Sequence, residues 1–248
     1  MSCTDIPDWF LRRRLAVIDV ATKSWAEARS ETMNQSRGST PAVCLHRLAR
    51  RGAIRRLRRG LYLVIDPIRE TAPIAVASAA FASDQHYVTT DAALSVDALI
   101  DQPIPTITVV LTAKRKHLDV GGTLIRPVIL PHALFAEAEW HKTTIDGYAI
   151  RVASRVQAVV DALAEPHWMT HASLIPEVLA AFTDAEAAQA ASRAMGRSHA
   201  AAQRLGYLLE DARRPAPPEL AAFRPKSTVD LRPGYRSGPF STRWRVYG

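Results

Sequence analysis

The 248-residue chain carries 32 Lys/Arg against 24 Asp/Glu, a net charge of +8, and 48% of its residues are hydrophobic. That length allows one large domain or two small ones with an ordinary core, and no apolar run reaches the ~18 residues that cross a bilayer, so no membrane partner is expected. Only Cys3 and Cys44 are present, which excludes a disulfide framework or a cysteine-rich zinc site, and the opening MSCTDIPDWFLRRR has no secretory pattern, so a cytoplasmic protein is expected.

The charge is unevenly spread. Residues 1–70 hold 14 Lys/Arg against 7 Asp/Glu, residues 71–210 hold 10 against 14, and residues 211–248 hold 8 against 3. Two basic ends around an acidic middle point to anionic partners at the ends. At the N-terminal end, Pro7-Asp8-Trp9-Phe10 opens an amphipathic stretch expected to stay helical through Val20, with Leu11, Leu15 and Ile18 at helical spacing. A second helical piece around Ser24 to Ser30 has Trp25 and Ala28 facing inward, and the polar segment Glu31 to Gly38 reads as a turn. Ser39-Thr40-Pro41 then gives a capping residue followed by Pro at the first helical position, a strong helix start.

On a wheel of about 100° per residue, the helix Pro41 to Arg51 places Ala42, Leu45, Leu48 and Ala49 on an apolar side and Thr40, Val43, Arg47, Arg50 and Arg51 on the other. Arginine reads guanine bidentately in a major groove, and methyl-bearing Val or Thr touches a thymine methyl. Gly52 ends the helix in the left-handed conformation. Ile54 to Leu57, a turn at Arg58-Arg59-Gly60, and Leu61 to Ile65 follow as a β-hairpin with Gly60 supplying positive φ. Between Glu31 and Asp66 there are eight arginines and no acid, seven of them in Arg47, Arg50, Arg51, Arg55, Arg56, Arg58 and Arg59. Unopposed guanidinium groups repel one another and favour a polyanion. The order helix, turn, strand is that of a winged helix-turn-helix, which makes double-stranded DNA the expected partner, with RNA or a nonspecific anionic surface as alternatives. The expected DNA-binding residues are Ser39, Thr40, Val43, Arg47, Arg50, Arg51, Arg55, Arg56, Arg58 and Arg59.

The run LHRLARRGAIRRLRRGLYLV (residues 45–64) resembles the N-terminal segment of AbiEi-type antitoxins of type IV toxin–antitoxin systems, whose pattern "RL.RRG.I.RL.RGLY" residues 47–62 follow closely. Tyr87, Thr89, Ala92, Ala93 and Leu94 resemble that family's "Y.T..AAL" block, and RLGYLLE at 204–210 resembles a sequence near its C-terminal end. Asp161 matches an aspartate of a family helix, but the Glu-Arg pair that precedes it there is absent here. The resemblance implies a repressor of its own operon acting at inverted repeats, and a functional partner encoded next door, a nucleotidyltransferase-like toxin.

Beyond residue 70, Ile74 to Ser83 reads as a small-residue helix, and Pro105 to Thr112, Thr123 to Leu130 and Tyr148 to Val152 as strands of a small mixed or antiparallel sheet. Asp119 to Gly122 is a turn; Gly121-Gly122 is no dinucleotide fingerprint. Ser154 caps a helix whose buried stripe is Val156, Val159, Val160 and Leu163, and helices follow around Pro176–Phe182, Asp184–Met195 and Ser198–Ala212. Pro215, Pro217 and Pro218 are expected to keep the tail free of helix, and the alternating ending Phe240 to Tyr247 suggests an edge strand added to the sheet. The tail, at +5, reads either as a binding extension or as solvated surface.

Signals for catalysis are thin. His167 and His171 share the four-residue spacing of metal ligands, but no third ligand is evident and Pro166 and Trp168 suggest a helix-start cluster. Glu137 and Glu139 read as solvated surface. Asp84-Gln85-His86 has no nucleophile in a recognisable elbow, Cys44 reads as a small helix residue, and no carboxylate–lysine set of a nuclease appears. No catalytic residues, metal or cofactor are expected, and enzymatic activity is not. The expectation is an α+β chain: a winged helix-turn-helix over residues 1–70, then over 71–248 a mixed antitoxin-type domain with a small sheet, a C-terminal helical bundle and a basic tail. The function it suggests is a sequence-specific repressor and antitoxin; the alternative is a ligand-responsive winged-helix transcription factor without an antitoxin role.

Overall fold

The computed structural model describes residues 5–33, 40–234, 236 and 238–248. In chain order the elements are α1 (Ile6–Arg12), β1 (Val17–Asp19), α2 (Lys23–Met33), α3 (Pro41–Arg50), β2 (Ile54–Arg58), β3 (Leu61–Val64), α4 (Pro73–Ala80), β4 (His86–Thr89), α5 (Asp91–Val96), β5 (Thr106–Leu111), β6 (Leu118–Val120), β7 (Thr123–Ile129) and α6 (His132–Glu137). They continue with β8 (Trp140–Ile145), β9 (Tyr148–Ala153), α7 (Arg155–Ala164), α8 (Ile175–Ala180), α9 (Asp184–Arg197), α10 (His199–Asp211), α11 (Pro218–Ala222), β10 (Val229–Asp230), β11 (Phe240–Ser241) and β12 (Val246–Tyr247). The protein is therefore α+β. Its sheets have the orders β1-β3-β2, β6-β7-β5-β4-β9-β8 and β10-β12-β11.

The chain forms two compact units: one of the residues up to Val88 with Val109–Ile129 and Lys142–Arg151, and one of Thr89–Thr108, Leu130–His141 and Val152–Gly248. It passes from one unit to the other within β4, β5, β8 and β9.

In the first unit α1, α2 and α3 close around Ile6, Trp9, Phe10, Trp25, Cys44, Leu45 and Leu48, with Ile18, Ile54 and Val64 from the first sheet joining that core. The amphipathic stretch does not stay helical to Val20. Helix α1 stops at Arg12, the chain turns through Arg14 at φ +51, and Val17–Asp19 pair antiparallel with Leu61–Leu63 as β1. The turn is a Schellman closure, with Arg14 N–H donating to Leu11 O at 3.0 Å and Leu15 N–H to Phe10 O at 3.0 Å. Pairing with a strand more than forty positions away is a long-range event that helical spacing cannot report. Helix α2 runs on through Glu31 to Met33, where a turn was expected, with Trp25 and Ala28 buried as expected; the remainder of that expected turn lies outside the described residues.

In the second unit, Ser154 caps α7 by accepting from Gln157 N–H at 3.2 Å, and Val156, Val159, Val160 and Leu163 are buried, though not as a stripe, since Gln157, Ala158, Asp161 and Ala162 are buried with them. Thr183 and Glu186 form a reciprocal capping box at the start of α9. Helix α9 packs on α7 and α10. Two expectations fail in the tail. Pro217 and Pro218 start α11 rather than forbidding helix, because Pro at the first helical position gives up only an N–H that has no intrahelical partner. The ending does not extend the larger sheet; β12 pairs parallel with β10 and antiparallel with β11 in a sheet of its own.

That tail is anchored. Trp244 and Val246 are buried, Trp244 Nε1 donates to Glu210 at 2.6 Å, and Gln203 donates to the carbonyls of Ser227 and Trp244 at 2.8 and 2.9 Å. Arg204 donates to Leu163 O at 2.6 Å and Asp230 O at 2.8 Å, and burial holds its guanidinium below the ordinary arginine range, with Glu165 and Asp230 opposing that shift. The RLGYLLE residues Arg204, Gly206 and Glu210 thus lie where α10 receives the tail.

Candidate nucleic-acid interface

The helix that carries the first arginines is fixed at both ends. Thr40 is the N-cap, its hydroxyl accepting from Val43 N–H at 3.5 Å, and Pro41 occupies the first helical position. The C-terminus closes in a Schellman motif: Gly52 adopts φ +71, its N–H donates to Ala49 O at 3.1 Å, and Ala53 N–H donates to Leu48 O at 3.1 Å. Cys44, Leu45 and Leu48 are buried, which orients the opposite arc of α3 outward. Ala42, Val43, His46, Arg47 and Arg50 are exposed, with Arg51 exposed at the cap.

The wheel therefore turns by about one residue from its sequence placement. Ala42, expected inside, is exposed, while Cys44 is the buried residue and belongs to the core. An exposure of 0% removes Cys44 from contact with solvent oxidants. The same rotation adds His46 to the outward face, a residue that sequence reasoning missed because the apolar set was read as Ala42, Leu45, Leu48 and Ala49, with Cys44 left out.

The hairpin β2–β3 follows directly. Ile54 pairs with Val64, Arg55 with Leu63, Arg56 with Tyr62 and Arg58 with Leu61. The register shift between Arg56 and Arg58 makes Leu57 an extra residue, a β-bulge that breaks the alternation of side chains. Gly60 holds φ +80 at the tip, and its carbonyl accepts from Val20 N–H at 3.0 Å. Arg55, Arg56 and Arg59 are exposed. Arg58 is half-buried, donates to Ala80 O at 3.4 Å and stacks over Phe81 with its guanidinium carbon 5.5 Å from the ring centre.

All the described members of the expected interface, Thr40, Val43, Arg47, Arg50, Arg51, Arg55, Arg56, Arg58 and Arg59, fall in the first unit, where α3 packs against β2. Ser39 lies outside the described residues. The side chains of Arg50, Arg51, Arg55, Arg56 and Arg59 make no hydrogen bond or ion pair among the described residues. Several arginines elsewhere are matched, among them Arg13 with Glu27 and Glu31, Arg115 with Asp84, Arg155 with Glu186 and Arg193 with Glu139. Glu139, expected as solvated surface, also accepts from Ser154 at 3.2 Å and Gln189 at 2.8 Å.

The histidines take places that spacing did not predict. His171 donates its backbone N–H to the fully buried Asp91 at 2.8 Å and brings Nδ1 to the same carboxylate at 2.8 Å; His167 faces Glu165 at 3.8 Å. Among the described residues no cluster of His, Cys, Asp or Glu could hold a metal ion, and no helix is long and apolar enough to cross a membrane. His86 is buried and its Nε2 lies 3.0 Å from Ser78 Oγ, with Nδ1 3.1 Å from Asp84 O. An Nδ1–H donated to that carbonyl leaves Nε2 to accept the Ser78 hydroxyl, which in turn accepts from Arg151 N–H at 3.2 Å. Burial, reinforced by Arg151, lowers the pKa of His86 below 6.5. Ser78 and Arg151 lie 8 and 65 positions from His86, so the DQH triplet alone carried no sign of this cluster.

No protein-family model matches the chain, and no curated protein matches it. Among solved structures it is similar to the crystal structure of the RV2827C protein from Mycobacterium tuberculosis, at 16% sequence identity with a TM-score of 0.66, over 98% of this chain and 90% of that one. At that identity the likeness is one of fold, and it extends across both compact units.

Proposed function

We propose that this protein is a sequence-specific DNA-binding repressor whose N-terminal elements act as a winged helix-turn-helix, with α3 as the recognition helix and β2–β3 as the wing. The observation that carries the reading is the set Arg50, Arg51, Arg55, Arg56 and Arg59, exposed without a carboxylate partner among the described residues. Like charges gathered on one unit disfavour each other, whereas duplex phosphates spaced along a groove match them and release counterions. On α3, Val43 and Arg47 supply the methyl and guanidinium groups suited to base edges, while Thr40 is committed first to its cap.

The resemblance of residues 47–62 and 204–210 to AbiEi-type antitoxins supports the further reading that the protein represses its own operon at inverted repeats and opposes a nucleotidyltransferase-like toxin. The test is binding of the full chain to the duplex upstream of its own gene against a shuffled duplex, paired with growth rescue on co-expression with the adjacent toxin. Equal affinity for the two duplexes would remove the repressor reading, and failure of rescue would remove the antitoxin reading. A second reading, a ligand-responsive regulator, is favoured by a cavity in the same unit as the arginines.

A further inference from the structure

A cavity of about 330 Å³ opens within the first unit, at the lower end of the ~300–1,000 Å³ typical of small-molecule sites. Leu15, Ala16, Val17, Ala75, Ala79 and Ile150 line it with apolar surface. Its charged groups are mostly cationic: Arg14, Lys142 and Arg151 against the single carboxylate of Asp19. Asp19 is already engaged, its Oδ1 accepting from Ala21 N–H at 3.0 Å. Ser78 and His86 also belong to the lining, and their mutual hydrogen bond holds the imidazole in place.

Arg14 is the residue whose placement is hardest to explain by folding alone. It sits at the left-handed position of the Schellman closure of α1, with φ +51, where glycine is the favoured residue. Its stem lies over Gly147, where a Cβ would come within 3.4 Å of Arg14 Cδ. A strained backbone at that point sets a guanidinium at a cavity that already holds Lys142 and Arg151.

We propose that this cavity binds a small organic anion with an apolar body, its carboxylate or phosphate held by Arg14, Lys142 and Arg151 and its body by the Ala16–Ala75–Ile150 wall. Strand β1, which contributes Val17 and Asp19 to the lining, pairs with β3 of the hairpin. An occupant therefore bears on the strand next to the proposed wing; this regulatory consequence rests on the DNA-binding reading, whereas the binding itself does not.

The experiment is calorimetric titration of the full-length protein with benzoate, phenyl phosphate and the uncharged isostere benzamide. At least one of the two anions is expected to bind saturably, and at least about tenfold more tightly than benzamide, the scale of one charge-assisted contact; which anion binds more tightly identifies carboxylate or phosphate as the natural group. Ala149→Trp, at an exposed lining position, is expected to abolish binding without unfolding the chain. Arg14→Gly gives the sharper readout: it relieves the backbone and raises the melting temperature while weakening the anion several-fold. Equal binding of benzamide, no saturable binding of either anion, or full binding by both variants would overturn the proposal, and each of these is read without DNA.

Discussion

Gly206 lies in the middle of α10, where glycine costs helix stability relative to alanine by roughly 1 kcal/mol. Its reason is Trp244: a Cβ at 206 would collide with the Cε3, Cζ3 and Cη2 atoms of that ring, which is 1% exposed and tethered through Nε1 to Glu210. Gly206→Ala is therefore expected to destabilise by about 1–3 kcal/mol, the usual cost of overpacking, despite its better helix propensity. In a Trp244→Ala background the same change should become neutral or stabilising; thermal melts of the four proteins check the sign reversal. A second prediction at this scale concerns His86, whose pKa is lowered first by burial, with Arg151 acting in the same direction and the carbonyls of Asp84 and Phe81 and the Asp84 carboxylate opposing. A histidine bound less readily to protons in the folded state lends stability above its unfolded value of 6.5 and loses it as pH falls toward the folded value. Stability measured by denaturant from pH 7.5 to 5 should fall along this limb, and His86→Gln should flatten it; an unchanged slope would show that His86 is not the group responsible.

At the level of elements, the bulge at Leu57 separates two kinds of arginine. Strict alternation would give Arg56 and Arg58 the same face, but the extra residue re-aims Arg58 to the Ala80 carbonyl and the Phe81 ring. Arg58→Ala should thus lower the melting temperature, by about 1 kcal/mol of stability, while Arg59→Ala should leave it unchanged. The two sides of the proposed interface should also differ on DNA. Replacing Arg47 or Val43 on α3 is expected to relax discrimination between operator and shuffled duplex, whereas Arg55→Ala or Arg56→Ala should weaken both duplexes equally. A uniform loss from the α3 replacements would count against its role in reading bases. Strand β2 also lies at the edge of its sheet, where exposed arginines discourage pairing with another chain, so the same residues protect the fold that presents them.

For the molecule as a whole, what the sequence disclosed and what it hid divide by range. Local chemistry was legible: the Thr40–Pro41 start, the Gly52 closure, the Gly60 turn, the Ser154 cap and the β-branched run of β5 all stand where residue type required them. Long-range pairings were not. Strand β1 depends on β3, β8 on its place in the six-stranded order, and the Gly206–Trp244 contact joins positions nearly forty apart. The arginine face of α3 was readable because charge and helical period coincide; its rotation toward His46 was not, because cysteine and alanine are nearly interchangeable on a wheel and only packing shows which is buried. The cluster of Ser78, His86 and Arg151 drew on α4, β4 and β9, and no window of sequence contains it. The basic tail looked separable by composition, yet Leu220, Trp244 and Val246 bury it in the second unit. A truncation at Glu210 therefore removes core as well as charge.

The central claim, that the arginines without a partner among the described residues meet DNA phosphates, is tested most directly by the salt dependence of operator binding. Five to six phosphate contacts predict a slope of about −5 in log K against log salt, and each Ala replacement among Arg50, Arg51, Arg55, Arg56 and Arg59 should reduce its magnitude by about 1. A binding constant insensitive to salt, or a slope left unchanged by all five replacements, would contradict it.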